Sequence, residues 1–132
     1  MRPVIRLCLT LVPALAFLGL GSSLAQADVQ EAFVCTLKEG KTAEDLMKVA
    51  SEFKASIGGL KGGKEYRAEV LTPIASQDLD SVIWIGHMSS FAAMAAFSDA
   101  YTGSDVAKTM GPKFESVADC ESRSFWTVRP VE

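Results

Sequence analysis

The first residue here that could do chemistry is a histidine at the end of an apolar strand. His87 is the only histidine, and it follows the run Val82-Ile83-Trp84-Ile85-Gly86. Side chains where a buried strand gives way to a helix often line a pocket. There an imidazole can act as a general base, hydrogen-bond a ligand or coordinate haem iron. No partner stands beside it in the sequence, so a histidine hydrogen-bonded at the rim of the core or at a subunit seam is the simpler account. Trp84 and Trp126 could wall a pocket for a flat ligand, although large aromatics are more often simply core. Asp99 and Tyr101 join this candidate pocket if the helix that carries them folds back over the strand end. An exposed helix end also accounts for them. No Ser-His-Asp spacing, carboxylate pair or metal-ligand cluster stands out, so His87 is the one catalytic candidate.

Cysteine is the other reactive type. The sequence opens like an export signal: Arg2 and Arg6 are followed by the apolar run Leu7 to Leu20 and then Ala25-Gln26-Ala27, a small-x-small cleavage site. A bilayer span takes roughly 20 apolar residues, and this run is shorter and broken by Pro13. Residues 1–27 are therefore read as a signal peptide and residues 28–132 as a single domain in the periplasm or outside the cell. Cleavage leaves Cys35 and Cys120, and an even pair in an exported protein is most simply a disulfide. Losing Arg2 and Arg6 takes the net charge from −3 to −5. An acidic surface argues against nucleic acid and anionic membranes as partners, and no later run is long enough to cross a bilayer.

These residues must be positioned by a small set of elements. Glu31 to Glu39 reads as a strand with Phe33, Cys35 and Leu37 on one face and Val34 on the other. Thr42 caps a helix, with Asp45 placed for a capping box and Leu46, Val49, Ala50, Phe53 and Ile57 forming its apolar stripe. Gly58-Gly59 ends it. The segment Gly58-x4-Gly63-Lys64 imitates a phosphate-binding loop, but Glu65 stands where Ser or Thr would hold magnesium. It also follows a helix, whereas a phosphate cradle precedes one. It is read as a flexible surface loop.

Tyr66 to Ile74 reads as a second strand, with Pro73 marking an edge. Val82 to Ile85 is the third, apolar on both faces. Ser89 or Ser90 caps the helix of Phe91, Met94, Phe97 and Tyr101. A new cap at Ser104-Asp105 opens a helical segment with a kink expected at Gly111-Pro112, and Ser122 to Val128 reads as the last strand. Glu115 to Glu121 carries three acids and reads as a solvated face.

The order is βαββαβ with the second helix in two pieces, a ferredoxin-like α+β pattern: a four-stranded antiparallel sheet with helices on one face. Both faces of the third strand are apolar, the last strand puts Phe125 on one face and Trp126 on the other, and the first sets Phe33 and Leu37 against Val34. That is too much apolar surface for a monomer to leave one face bare. A homodimer, sheet against sheet, would hide it. A kinked helix or the C-terminal tail folded over that face is the alternative.

With Trp84-x-Gly86-x-x-x-Ser90-x-x-Ala93-x-x-Ala96 at its centre, Glu31 to Val128 resembles the dimeric α/β-barrel superfamily, and in particular its small exported members. That resemblance implies a homodimer and admits several roles. One is a binding or interaction module holding a small apolar ligand without a cofactor. Another is a cofactor-independent monooxygenase or haem-handling enzyme. A third is an envelope stability or assembly factor. Fold resemblance does not choose among them.

Overall fold

The computed structural model describes residues 28–129 and 131; the signal peptide and cleavage site read from the sequence lie outside the described residues. The chain runs β1 (Val29–Leu37), α1 (Ala43–Ser56), a 3-10 turn (Ile57–Gly59), β2 (Arg67–Leu71), β3 (Ser81–Met88), α2 (Phe91–Tyr101), α3 (Asp105–Glu115) and β4 (Ala118–Thr127). The strands form one antiparallel sheet in the order β2-β3-β1-β4. This is the expected βαββαβ arrangement, with the second helix in two pieces.

Local chemistry fixes most of the boundaries. Thr42 accepts from the Asp45 amide, and the Asp45 carboxylate reaches back to the Thr42 amide at 3.1 Å, closing the capping box at the start of α1. Ser90 and Ser104 cap α2 and α3 in the same way, each accepting from the amide three residues on. β2 is an edge strand and stops at Leu71, short of Pro73, which has no amide to donate.

Several boundaries differ from the sequence reading. β3 does not end at Gly86. It continues to Met88 because both neighbours extend the ladder: Gly86 and His87 face Glu31 and Gln30 on β1, and Ala68 and Arg67 on β2. β4 begins at Ala118, four residues early, so Cys120 lies inside the strand. The glycine-rich segment after α1 is a packed turn. A Cβ on Gly63 would sit 1.8 Å from the Ile57 carbonyl oxygen, and one on Gly62 would meet Phe97 and Met88 at 3.2 Å. Lys54 donates to the carbonyls of Gly63 and Tyr66 and ties this turn to α1.

The core lies between the inner face of the sheet and the three helices. Phe53 of α1 is its hub, edge-on to Tyr66, Trp84, Tyr101 and Phe114 with ring centroids 5.5–5.9 Å apart. Such pairs contribute about 0.5–1.5 kcal/mol each beyond area burial. Among the described residues no helix covers the strands on the outer face. Val34 and Trp126 there are 44% and 61% exposed, and Leu71 is exposed as well. Ile83 and Ile85 fill the space between them, half-buried.

Candidate functional site

Between the sheet and the helices lies a cavity of about 680 Å³ that combines aromatic walls with buried charge. β1 contributes Glu31, Phe33 and Cys35. α1 contributes Leu46 and Phe53; β3 contributes Trp84; and Tyr66 enters from just before β2. Phe97, Ser98, Tyr101 and Thr102 come from α2, Gly111, Phe114 and Glu115 from α3, and Ala118, Asp119, Cys120 and Arg123 from β4. The walls are therefore mostly aromatic, and the polar groups are few.

Those polar groups are joined. Glu31 is 4% exposed although it is a carboxylate. Its Oε1 accepts from the Tyr66 hydroxyl at 2.6 Å, and its Oε2 accepts from Arg123 Nε at 3.0 Å and Nη2 at 2.7 Å. Tyr66 in turn accepts from Trp84 Nε1 at 2.9 Å. Arg123 Nη2 also donates to Ser98 Oγ at 2.7 Å, which ties the edge strand β4 to α2. The guanidinium packs over the rings of Phe125 and Phe33, 4.7 and 5.4 Å from their centroids. A buried carboxylate persists only when paired and hydrogen-bonded, and this network meets both conditions. Burial, and then the charge and hydrogen bond of Glu31, push the Tyr66 hydroxyl above its ordinary value of 10.0, so it stays a neutral donor. Burial also raises Tyr101.

Gly86 makes the network possible. A Cβ there would lie 2.1 Å from Tyr66 Oη and 2.8 Å from Glu31 Oε1. The glycine in this strand is the gap through which a buried hydroxyl and a buried carboxylate meet.

The residues singled out from the sequence fall in different places. Trp84 and Tyr101 line the cavity. His87, Asp99 and Trp126 do not. His87 faces Gln30 and Arg67 across the ladder, on the outer face of the sheet, because strand alternation puts Trp84 and Gly86 inward and His87 outward. Its Nδ1 is 3.3 Å from Gln30 Nε2. Its Nε2 is buried without a formed hydrogen bond, 3.5 Å from Glu69 Oε2, close enough to pair when the ring is protonated. Asp99 is exposed on α2, and Trp126 stands on the outer face, bonded through Nε1 to Ser124. Cys35 and Cys120 face each other across β1 and β4 and form a disulfide that lines the cavity. Glu115 and Asp119, read as part of a solvated face, border the cavity at the end of α3 and the start of β4.

Sequence reasoning missed Glu31, Tyr66 and Arg123. Two signals pointed to them: Glu31 continues the inward alternation of Phe33 and Cys35, and a glycine within a buried strand marks a close approach. Among the described residues no group of three His, Cys, Asp or Glu is placed to hold a metal ion. The cavity offers haem no axial histidine, since His87 lies on the opposite face.

No family model matches the chain, and no curated protein matches it. Solved structures do. SnoaB, a cofactor-independent oxygenase from Streptomyces nogalater, superposes with a TM-score of 0.57 at 11% identity, covering 80% of this chain and 96% of that one. A nipsnap family protein of unknown function from Agrobacterium tumefaciens gives a TM-score of 0.55 at 16% identity, covering 80% and 89%. A NIPSNAP-like domain protein from Burkholderia xenovorans gives 0.57 at 8%, covering 80% and 87%. The fold is ferredoxin-like, a four-stranded antiparallel sheet with its helices on one face. At these identities the likeness carries the architecture and no chemistry.

Proposed function

We propose that this chain is a small exported binding module that holds an apolar, flat molecule between its sheet and its helices. The cavity carries the reading. Its volume of about 680 Å³ falls within the range of roughly 300–1,000 Å³ usual for small-molecule sites, and it pairs aromatic walls with a few fixed polar groups. Trp84 and Phe53 supply flat surface, while Arg123, Tyr66 and Glu31 hold the floor rigid through their mutual hydrogen bonds. Export is supported by the leader-like residues 1–27 and by the disulfide, which suits the periplasm or the cell exterior. Pairing of two copies through the outer face is supported by the exposed apolar side chains of Val34, Leu71 and Trp126 there.

The second reading is a cofactor-independent oxygenase, the description given to SnoaB. That chemistry calls for a base beside the substrate. His87 is on the other side of the sheet; of the carboxylates that line the cavity, Glu31 already accepts from Tyr66 and Arg123, Asp119 pairs with Lys38, and Glu115 is exposed. Binding without catalysis is what this geometry supports best.

The test is a titration with N-phenyl-1-naphthylamine, an uncharged fluorescent aromatic. One saturable site per chain is expected, and it should be lost in Thr102→Trp, which places a bulky ring at an exposed lining position without altering the buried network. Equal binding by that variant, or none by the parent, would remove the cavity from consideration.

A further inference from the structure

We infer that the Cys35–Cys120 disulfide is a one-ended thiol-exchange site in the cavity wall, opening at Cys120 and selecting neutral or cationic thiols over anionic ones. Its effect on ligand binding rests on the binding reading above; the exchange itself does not.

The bond joins the inner strand β1 to the edge strand β4, and both cysteines line the cavity. The two ends are unequally accessible: Cys35 is 3% exposed within the core, whereas Cys120 is an exposed residue. Exchange requires an incoming thiolate to reach the sulfur it attacks. The thiolate therefore bonds to Cys120 Sγ, the disulfide breaks, and its electron pair leaves on Cys35 Sγ, which takes a proton from water. A second thiolate then attacks the sulfur carried by Cys120 and releases a small-molecule disulfide and the Cys120 thiolate. Two thiols are oxidised, and one protein disulfide is reduced to two thiols.

The surroundings of Cys120 are acidic. Asp119 and Glu121 flank it in sequence, and Glu115 borders the same cavity. Lys38 lies 3.1 Å from Asp119 and offsets that charge. Glu115 and Glu121 make no ion pair among the described residues, and Arg123, which lines the same cavity, is held by Glu31. An anionic thiol is repelled by this field and a cationic one drawn in.

Breaking the bond also loosens the wall. Val34 faces Ser122 while the next residue, Cys35, faces Cys120, so Glu121 is the extra residue of a bulge directly beside the disulfide. The covalent link clamps the ladder where it is irregular. It sits on the inner face, so two copies meeting through the outer face would leave Cys120 open.

The experiment uses the oxidised full-length mature chain with cysteamine, 2-mercaptoethanol and 2-mercaptoethanesulfonate at low salt. Each rate is divided by the same thiol's rate on a neutral model disulfide. Peptide mapping is expected to place the trapped adduct on Cys120. Cysteamine should exceed the sulfonate by on the order of tenfold, with the ratio collapsing at high salt. The Glu115→Gln/Glu121→Gln variant should reduce it. An adduct on Cys35, or equal normalised rates, would overturn the assignment. After reduction by dithiothreitol, affinity for N-phenyl-1-naphthylamine should fall several-fold. Unchanged affinity would overturn the link to the cavity. If the oxidised protein does not bind the probe at all, the binding reading fails and the adduct map still decides the exchange site.

Discussion

Replacing Tyr66 with phenylalanine isolates the polar floor of the cavity from its packing. Tyr66 is 1% exposed, stacked on Phe97 at 4.6 Å and edge-on to Phe53 at 5.9 Å, and a phenyl ring keeps all of that. What goes is one oxygen with two buried partners. Trp84 Nε1 is left without its acceptor, which costs about 1–3 kcal/mol for a buried donor. Glu31 loses a charge-assisted bond, worth about 1.5–3 kcal/mol, but keeps Arg123, so the lower end applies. The sum is about 3 kcal/mol, or roughly 12–20 °C in Tm for a domain of this size. Urea and thermal unfolding followed by circular dichroism, with the disulfide intact, measure it. A loss below about 1 kcal/mol would refute the network as a stabilising unit.

The same variant has a signature in pH. The folded protein holds the Tyr66 proton above its ordinary value of 10.0, mainly through burial. Below about pH 10 both states keep the proton and the stabilisation is complete. Above it the unfolded chain releases a proton that the folded chain retains, so stability falls by about 1.4 kcal/mol per pH unit from this residue. Tyr101, also raised, adds a decline of the same sign in both proteins. Tyr66→Phe should therefore lose stability less steeply than the parent above pH 10. Identical slopes would contradict the assignment.

Other expectations are more direct. Gly86→Ala puts a carbon 2.1 Å from Tyr66 Oη and should cost at least as much as Tyr66→Phe, about 3 kcal/mol or more, because the ring as well as the hydroxyl must move. Urea unfolding decides this, and a neutral outcome would mean that the strand gives way easily. Replacing Cys35 and Cys120 together by serine removes a cross-link between residues 85 apart, which a chain-entropy estimate puts at about 4–5 kcal/mol. A loss near zero in the same assay would show that the link does not constrain the unfolded chain. The parent is expected to have the mass of two chains by light scattering at micromolar concentration, and Ile85→Asp with Trp126→Ser the mass of one. A monomeric parent would end the case for a covered outer face.

The fold was legible because its signals are periodic. Serine and threonine caps, the stripe on α1 and the alternation along β1 and β3 all report local geometry, and the structure follows them. The candidate site was only half legible. Trp84 could be placed because its strand is apolar throughout, and the cysteine pair because reading residues 1–27 as a leader leaves two. His87 was a candidate for the pocket, beside a position at the rim of the core or a subunit seam, because Gly86 looked like a strand end. In fact the ladder to β1 and β2 carries β3 on, and one more residue of strand turns a side chain to the opposite face. Glu31 and Arg123 lie 92 residues apart and meet only through sheet register, which no local pattern reports.

The central claim is that the cavity is a binding site and not a packing defect. Native mass spectrometry of the protein purified from the compartment in which it is made tests this most directly. The account predicts one retained small molecule per chain, absent from Thr102→Trp and released on denaturation. A bare chain mass from gently handled parent protein, in parallel with an equally bare variant, would contradict it.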